Sequence, residues 1–159
     1  MTLSSRLSAC IAALMIAAAP AAAHDPSGID PATIAAIEAA AYDYVDGQLE
    51  GNPARVARSV HPDIAKRAAR PAGKGADEVY PLRRMTRDEL LDLTHQGALK
   101  TPKEQWSRSV KVLDVTGNSA VARVETPWFV DYFHLGRYGD RWMIINALWE
   151  PKQSSQAGQ

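Results

Sequence analysis

From Ile34 to Leu49 apolar side chains return every three or four positions. Ile34, Ile37, Ala41, Tyr44, Val45 and Leu49 draw one apolar stripe along a helix, with Gln48 beside it. Asp30-Pro31 opens that helix with a capping side chain and a proline suited to the first turn, and Glu50-Gly51 closes it. Asn52-Pro53 repeats the opening signal and predicts a short second helix over 54–60, stopped by His61-Pro62-Asp63. Residues 65–79, rich in Arg, Ala, Gly and Pro, predict an irregular connection or a weak edge strand. Thr86 followed by Glu89 is a capping box for a third helix, whose buried side is Leu90, Leu91, Leu93 and Thr94. Beyond Gly97 the period drops to two. Strands are predicted over 106–115 and 119–126 around Thr116-Gly117-Asn118, and over 129–138 and 141–149 around Gly139-Asp140. Helices followed by a four-strand meander predict an α+β fold, with three N-terminal helices packed on one face of an antiparallel sheet.

The N-terminus changes the picture of where this domain works. Arg6 precedes the apolar run Leu7 to Ala19, and Pro20 and Ala21-Ala22-Ala23 follow it. A positive start, an apolar core and a small-residue exit predict a signal peptide over 1–23, cleaved after Ala23. The run is shorter than the ~20 apolar residues that span a bilayer. Leu7-Ser8-Ala9-Cys10 has the composition of a lipidation box, but the apolar core lies on the far side of Cys10, which is the wrong order. The expected product is a free periplasmic or secreted domain over 24–151, with a polar, disordered tail over 152–159. Cys10 is the single cysteine, so the mature domain has no thiol and depends on its core alone.

The chain carries 18 basic and 18 acidic residues, and that balance gives no electrostatic argument for nucleic acid or for an anionic membrane. The basic stretch Lys66, Arg67, Arg70, Lys74, Arg83, Arg84 and Arg87 reads mainly as a solvated face, with an anion-binding role as its alternative. His61, His95 and His134 stand apart, with no metal-ligand spacing. No hydrolase elbow, phosphate loop or dinucleotide fingerprint is present, so neither a metal nor a cofactor is expected.

Four segments in this order resemble a known family. They are Ala41-Tyr42-Asp43-Tyr44-Val45-Asp46-Gly47, Val60-His61-Pro62-Asp63, the stretch from Val112 to Glu125, and Asp131-Tyr132-Phe133-His134-Leu135 together with Gly139 to Asn146 and Trp149. The chain thereby resembles the nuclear transport factor 2-like superfamily, and most closely its branch named "putative lumazine-binding". The resemblance implies a cone, a cystatin-like roll in which a curved antiparallel sheet wraps around the helices and a pocket opens into it. It also implies a homodimer through the outer sheet face. Relatives with this fold include isomerases, dehydratases, polyketide cyclases and inert association modules, so the fold alone selects no function.

Strand register nominates the polar residues. With Gly139-Asp140 as the loop, Tyr138 opposes Arg141, Phe133 opposes Asn146 and Asp131 opposes Leu148. One face then carries Asp131, Phe133, Leu135, Trp142, Ile144, Asn146 and Leu148. The other carries Tyr132, His134, Tyr138, Met143, Ile145, Ala147 and Trp149. Tyr132, His134, Tyr138 and Trp149 would hold a flat ring by stacking and hydrogen bonds, and the same rings would equally fill a dimer interface or the helix contact. Tyr44, His61 and Asn146 complete the expected ligand pocket, His61 because the second helix borders the cone mouth in relatives. Asp131 or His134 would be the general base of an enzyme, but alternation sends them to opposite faces and no acid–base pair emerges. The expected function is therefore an exported domain that binds a small aromatic or apolar molecule. Its alternatives are a small acid–base enzyme and a non-catalytic association module.

Overall fold

Helix α1 (Pro31–Glu50) begins where the Asp30 carboxylate accepts from the backbone N–H groups of Ala32 and Thr33. It ends at Gly51, whose φ of 70° is the left-handed stop that glycine adopts without strain. These elements belong to the computed structural model, which describes residues 28–68 and 82–152. Asn52 caps α2 (Pro53–Ser59) through a bond from the Arg55 N–H. Close helix contact is possible because Gly47 is bare: a Cβ there would stand 2.8 Å from Val56 Cγ2. Arg55 bridges the two helices, reaching Asp43, Asp46 and Glu50 of α1. The capping box at Thr86 and Glu89 opens α3 (Arg87–His95).

Six strands form one open sheet: β1 (Val60–Ala68), β2 (Arg83–Met85), β3 (Ser109–Thr116), β4 (Ser119–Glu125), β5 (Phe129–Tyr138) and β6 (Arg141–Pro151). Their order is β2-β1-β6-β5-β4-β3. Gly117 and Gly139, with φ of 59° and 66°, sit in the two tight turns that the sequence marks. The core lies where Ile37, Tyr44, Val45 and Leu49 of α1 meet Val112, Val124, Phe133, Leu135 and Ile144 of the sheet. No helix among the described residues is long and apolar enough to cross a membrane.

Three expectations are corrected. The sheet is mixed rather than wholly antiparallel, because β1 runs parallel to β6. The second helix stops at Ser59, so His61 lies in β1 rather than at a helix end, and Ala65–Ala68 is an inserted strand with β2 and β6 on either side. Pro62 has no N–H to give a ladder, and the pairing with β6 is irregular between Val60 and Ala65.

The third correction concerns register. Tyr138 does oppose Arg141, but a bulge follows: Leu135 opposes Ile144 while His134 opposes Asn146, leaving Ile145 as the extra residue. From there the pairing slips by one, so that Phe133 faces Ala147 and Asp131 faces Trp149. One slip exchanges the faces. Ala147 and Trp149 turn inward with Asp131 and Phe133. Asn146 and Leu148 turn outward with Tyr132 and His134. The predicted leader, with Cys10, and residues 153–159 of the predicted tail lie outside the described residues. Lys152, placed in that tail, is instead tied to the fold: its N–H donates to the Trp128 carbonyl and its ammonium pairs with Glu125 at 2.7 Å.

Candidate functional site

Alternation along β1 buries Val60, Ile64, Lys66 and Ala68. A lysine on that inward phase needs a partner, and two are supplied. Lys66 Nζ donates to the Tyr44 hydroxyl at 2.6 Å and to Asp131 Oδ1 at 3.3 Å. All three groups are buried, with Lys66 7% exposed, Asp131 1% and Tyr44 0%. Helix α1 supplies the tyrosine, β1 the lysine and β5 the aspartate. Thr126 accepts from the N–H groups of Trp128 and Phe129 and so fixes the start of β5. Phe133 packs edge-on to the Tyr44 ring at 4.9 Å.

Burial pushes the Asp131 carboxyl above the usual carboxylate range, with Lys66 pulling against it. Burial also works against the Lys66 ammonium, but Asp131 and then Tyr44 outweigh it and hold its pKa above the usual lysine value. Burial, together with the Asp131 charge, pushes the Tyr44 hydroxyl up to about 12. An unfolded tyrosine ionises near pH 10. Between pH 10 and about 12 the folded chain therefore keeps a proton that the unfolded chain has lost, and stability falls as pH rises. Lys66 adds loss in the same direction once pH passes the unfolded lysine value near 10.4. Urea unfolding at stepped pH should show a decline of about 2–3 kcal/mol over that window, shallower in Tyr44→Phe. A flat wild-type profile from pH 10 to 11.5 would contradict this arrangement.

Lys66 also lines a cavity of about 420 Å³. Its walls are Gln48 of α1, Arg83 and Met85 of β2, Leu90, Leu93 and Thr94 of α3, Ala98 and Leu99 beyond it, Phe129 of β5 and Trp149 of β6. This is the size and mostly apolar lining of a small-molecule site. The Trp149 indole has two cations over it: Lys66 Nζ at 5.7 Å from the ring centre and the Arg83 guanidinium at 6.0 Å. Gln48 donates one amide hydrogen to the Tyr44 carbonyl, and Thr94 donates its hydroxyl hydrogen to the Leu90 carbonyl. The Gln48 amide oxygen and the Thr94 hydroxyl oxygen remain as acceptors. An ammonium has three donors, and among the described residues two of those on Lys66 are taken.

The nominated residues separate. Trp149 lines the cavity, while Tyr44 and Asp131 lie behind Lys66 and are not among its described walls. Tyr132, His134 and Asn146 are on the outer sheet face, where His134 and Asn146 pair at 3.2 Å and Tyr132 is 44% exposed. His61 stacks on Tyr138 at 5.0 Å and accepts from the Asp63 N–H, apart from the cavity walls. Trp149 thus shares an inward face with Asp131 and leaves the aromatic set to which unbroken alternation assigns it. Lys66 and Arg83, read as part of a solvated basic stretch, are the residues that sequence reasoning missed. The available signal was the phase of Ile64, Lys66 and Ala68, which is that of a strand with a lysine turned inward. Among the described residues no cluster of three or more His, Cys, Asp or Glu is placed to hold a metal ion.

An open sheet with three helices against it and a cavity between them is a fold class shared with solved structures described as nuclear transport factor 2-like. Within that class, the family described as "Putative lumazine-binding" matches residues 32–150, and the chain belongs to it. Among solved structures, a nuclear transport factor 2-like protein of unknown function from Silicibacter pomeroyi is 17% identical. It superposes with a TM-score of 0.62 over 76% of this chain and 97% of its own. A similar protein of unknown function from Methylobacillus flagellatus is 19% identical, with a TM-score of 0.61 over 79% of this chain and 96% of its own. A ketosteroid isomerase-like protein from Erwinia carotovora is 15% identical, with a TM-score of 0.51 over 77% and 98%. At these identities the likeness is one of fold. No curated protein matches the chain.

Proposed function

We propose that the chain is an exported binding domain that holds a small, flat, largely apolar molecule in the cavity between β1, β2, β6 and α3. One observation carries the reading: a cavity of about 420 Å³ whose aromatic and aliphatic walls converge on a single buried ammonium, Lys66. Phe129 and Trp149 stack on the molecule, and the remaining Lys66 donor meets an acceptor on its edge. The family description supports a heterocycle-sized ligand. Export rests on the apolar run Leu7 to Ala19 and its Ala-rich exit. Association as a homodimer is supported by the outer face, where Tyr132 and Leu148 are 44% and 40% exposed beside each other.

The second reading is an acid–base enzyme using Asp131, favoured by its buried, upshifted carboxyl. Lys66 stands between that carboxyl and the cavity, which makes binding the stronger reading. His134 is on the outer face and serves neither reading of the cavity.

Native mass spectrometry of the gently purified full chain tests the proposal. The expected result is an adduct on the order of a few hundred daltons, retained in Tyr132→Ala and lost in Trp149→Ala. No adduct on the wild type, or equal retention in both variants, overturns the proposal.

A further inference from the structure

We infer that the ligand is a monoanion, a flat aromatic carboxylate or an anion of similar size, with its charge seated between Arg83 and Lys66. The inference rests on the binding reading above and names the chemical class that this cavity selects. Both cations lie within 6.0 Å of the same Trp149 ring, so a body stacked on that indole carries its edge between them.

The two cations differ in what they already hold. Lys66 is balanced by Asp131, and that pair is electrically neutral toward the cavity. Arg83 has no such partner within ion-pair distance among the described residues. Glu89, which it influences at longer range, is committed elsewhere: its carboxylate accepts from the Thr86 N–H at 2.6 Å and from the Thr86 hydroxyl at 2.9 Å in the α3 cap. Both bonds land on Oε2, and Glu89 screens Arg83 from a distance without forming an ion pair with it. The described cavity walls carry these two cations and no carboxylate, and the other polar walls, Gln48 and Thr94, keep acceptors but are uncharged. Among the described walls, one cation, Arg83, is therefore left without a neutralising ion pair beside the indole edge. A carboxylate placed there gains a charge-assisted bond from the guanidinium and another from the free Lys66 donor. A neutral isostere of the same shape keeps the stacking and loses both.

The probes are 2-naphthoate and its neutral isostere 2-naphthamide, titrated into the full chain by calorimetry. The expected result is that naphthoate binds about tenfold or more tightly than naphthamide. Arg83→Gln should bring the two within about threefold, while Arg84→Gln, which lines only the neighbouring cavity, keeps the preference. Arg83 is an exposed residue on a short strand, so its substitution leaves the core intact. Equal affinity for the two probes, or a preference that survives Arg83→Gln, overturns the anion assignment and leaves the binding reading standing. Failure of naphthoate to bind a chain that retains its native adduct also overturns the assignment alone. Absence of that adduct overturns the reading beneath it.

Discussion

Lys66→Met is expected to lower stability by about 3–5 kcal/mol, because it leaves the Asp131 carboxylate buried without a partner. Among the described residues Asp131 Oδ2 has no hydrogen-bond partner, so the bond from Lys66 to Oδ1, helped by the nearby Tyr44 hydroxyl, carries the compensation. In a domain of this size the loss amounts to roughly 10–20 °C in Tm. The pH dependence identifies the cause. Without the ammonium, the folded pKa of Asp131 rises further above the unfolded value of ~3.9. Above that unfolded value the folded variant holds a proton that its unfolded form has released, so its stability falls as pH rises toward the folded pKa. Urea unfolding should thus show a deficit against wild type that is small near pH 4 and full near pH 8. The double variant Lys66→Met/Asp131→Leu removes both charges and should recover most of the loss. A single variant within about 1 kcal/mol of wild type at pH 8 would show that the pair is not the buried anchor described here.

Phe133→Ala should cost a comparable amount, about 3–5 kcal/mol. The ring is fully buried, lies edge-on to Tyr44 and joins the centre of the sheet to α1. Its removal leaves a void beside the tyrosine that Lys66 depends on, so the loss should be non-additive with Lys66→Met. Phe133→Leu keeps most of the volume and should cost less than half as much as the alanine. Phe129→Ala is the useful contrast, because Phe129 lines the cavity rather than filling the core. It should cost clearly less stability than Phe133→Ala and affect ligand retention more. Denaturation midpoints with unchanged m-values would establish the ranking.

The helices and hairpins were legible because their signals are local. Asp30-Pro31, Asn52-Pro53 and the Thr86–Glu89 box each specify a helix start through side chains within three residues of the backbone groups they satisfy. Gly117 and Gly139 specify turns in the same local way. Strand β1 was not legible as an inner strand, since Pro62-Asp63 and Lys66-Arg67 are surface residues by composition. Its place depends on parallel pairing with β6, distant in the chain. The bulge at Ile145 had no local glycine to announce it, yet its reason can be read afterwards. Unbroken alternation would bury the Asn146 amide against Phe133 and expose Ala147. The bulge returns the amide to His134 at the surface and puts the alanine in the core. The same slip carries Trp149 to the inner face and makes it a cavity wall. The candidate site was therefore half legible: Tyr44, Asp131 and Trp149 were singled out, while the cation that joins them was set aside as surface charge.

Ligand is expected to enter the Lys66–Trp149 cavity rather than to bind the aromatic outer face of the sheet. Backbone and indole NMR shifts during titration with 2-naphthoate test it most directly. Saturable shifts are expected at Gln48, Met85, Thr94 and the Trp149 indole, with Tyr132, His134 and Asn146 unmoved. Shifts confined to Tyr132, His134 and Asn146 would contradict it.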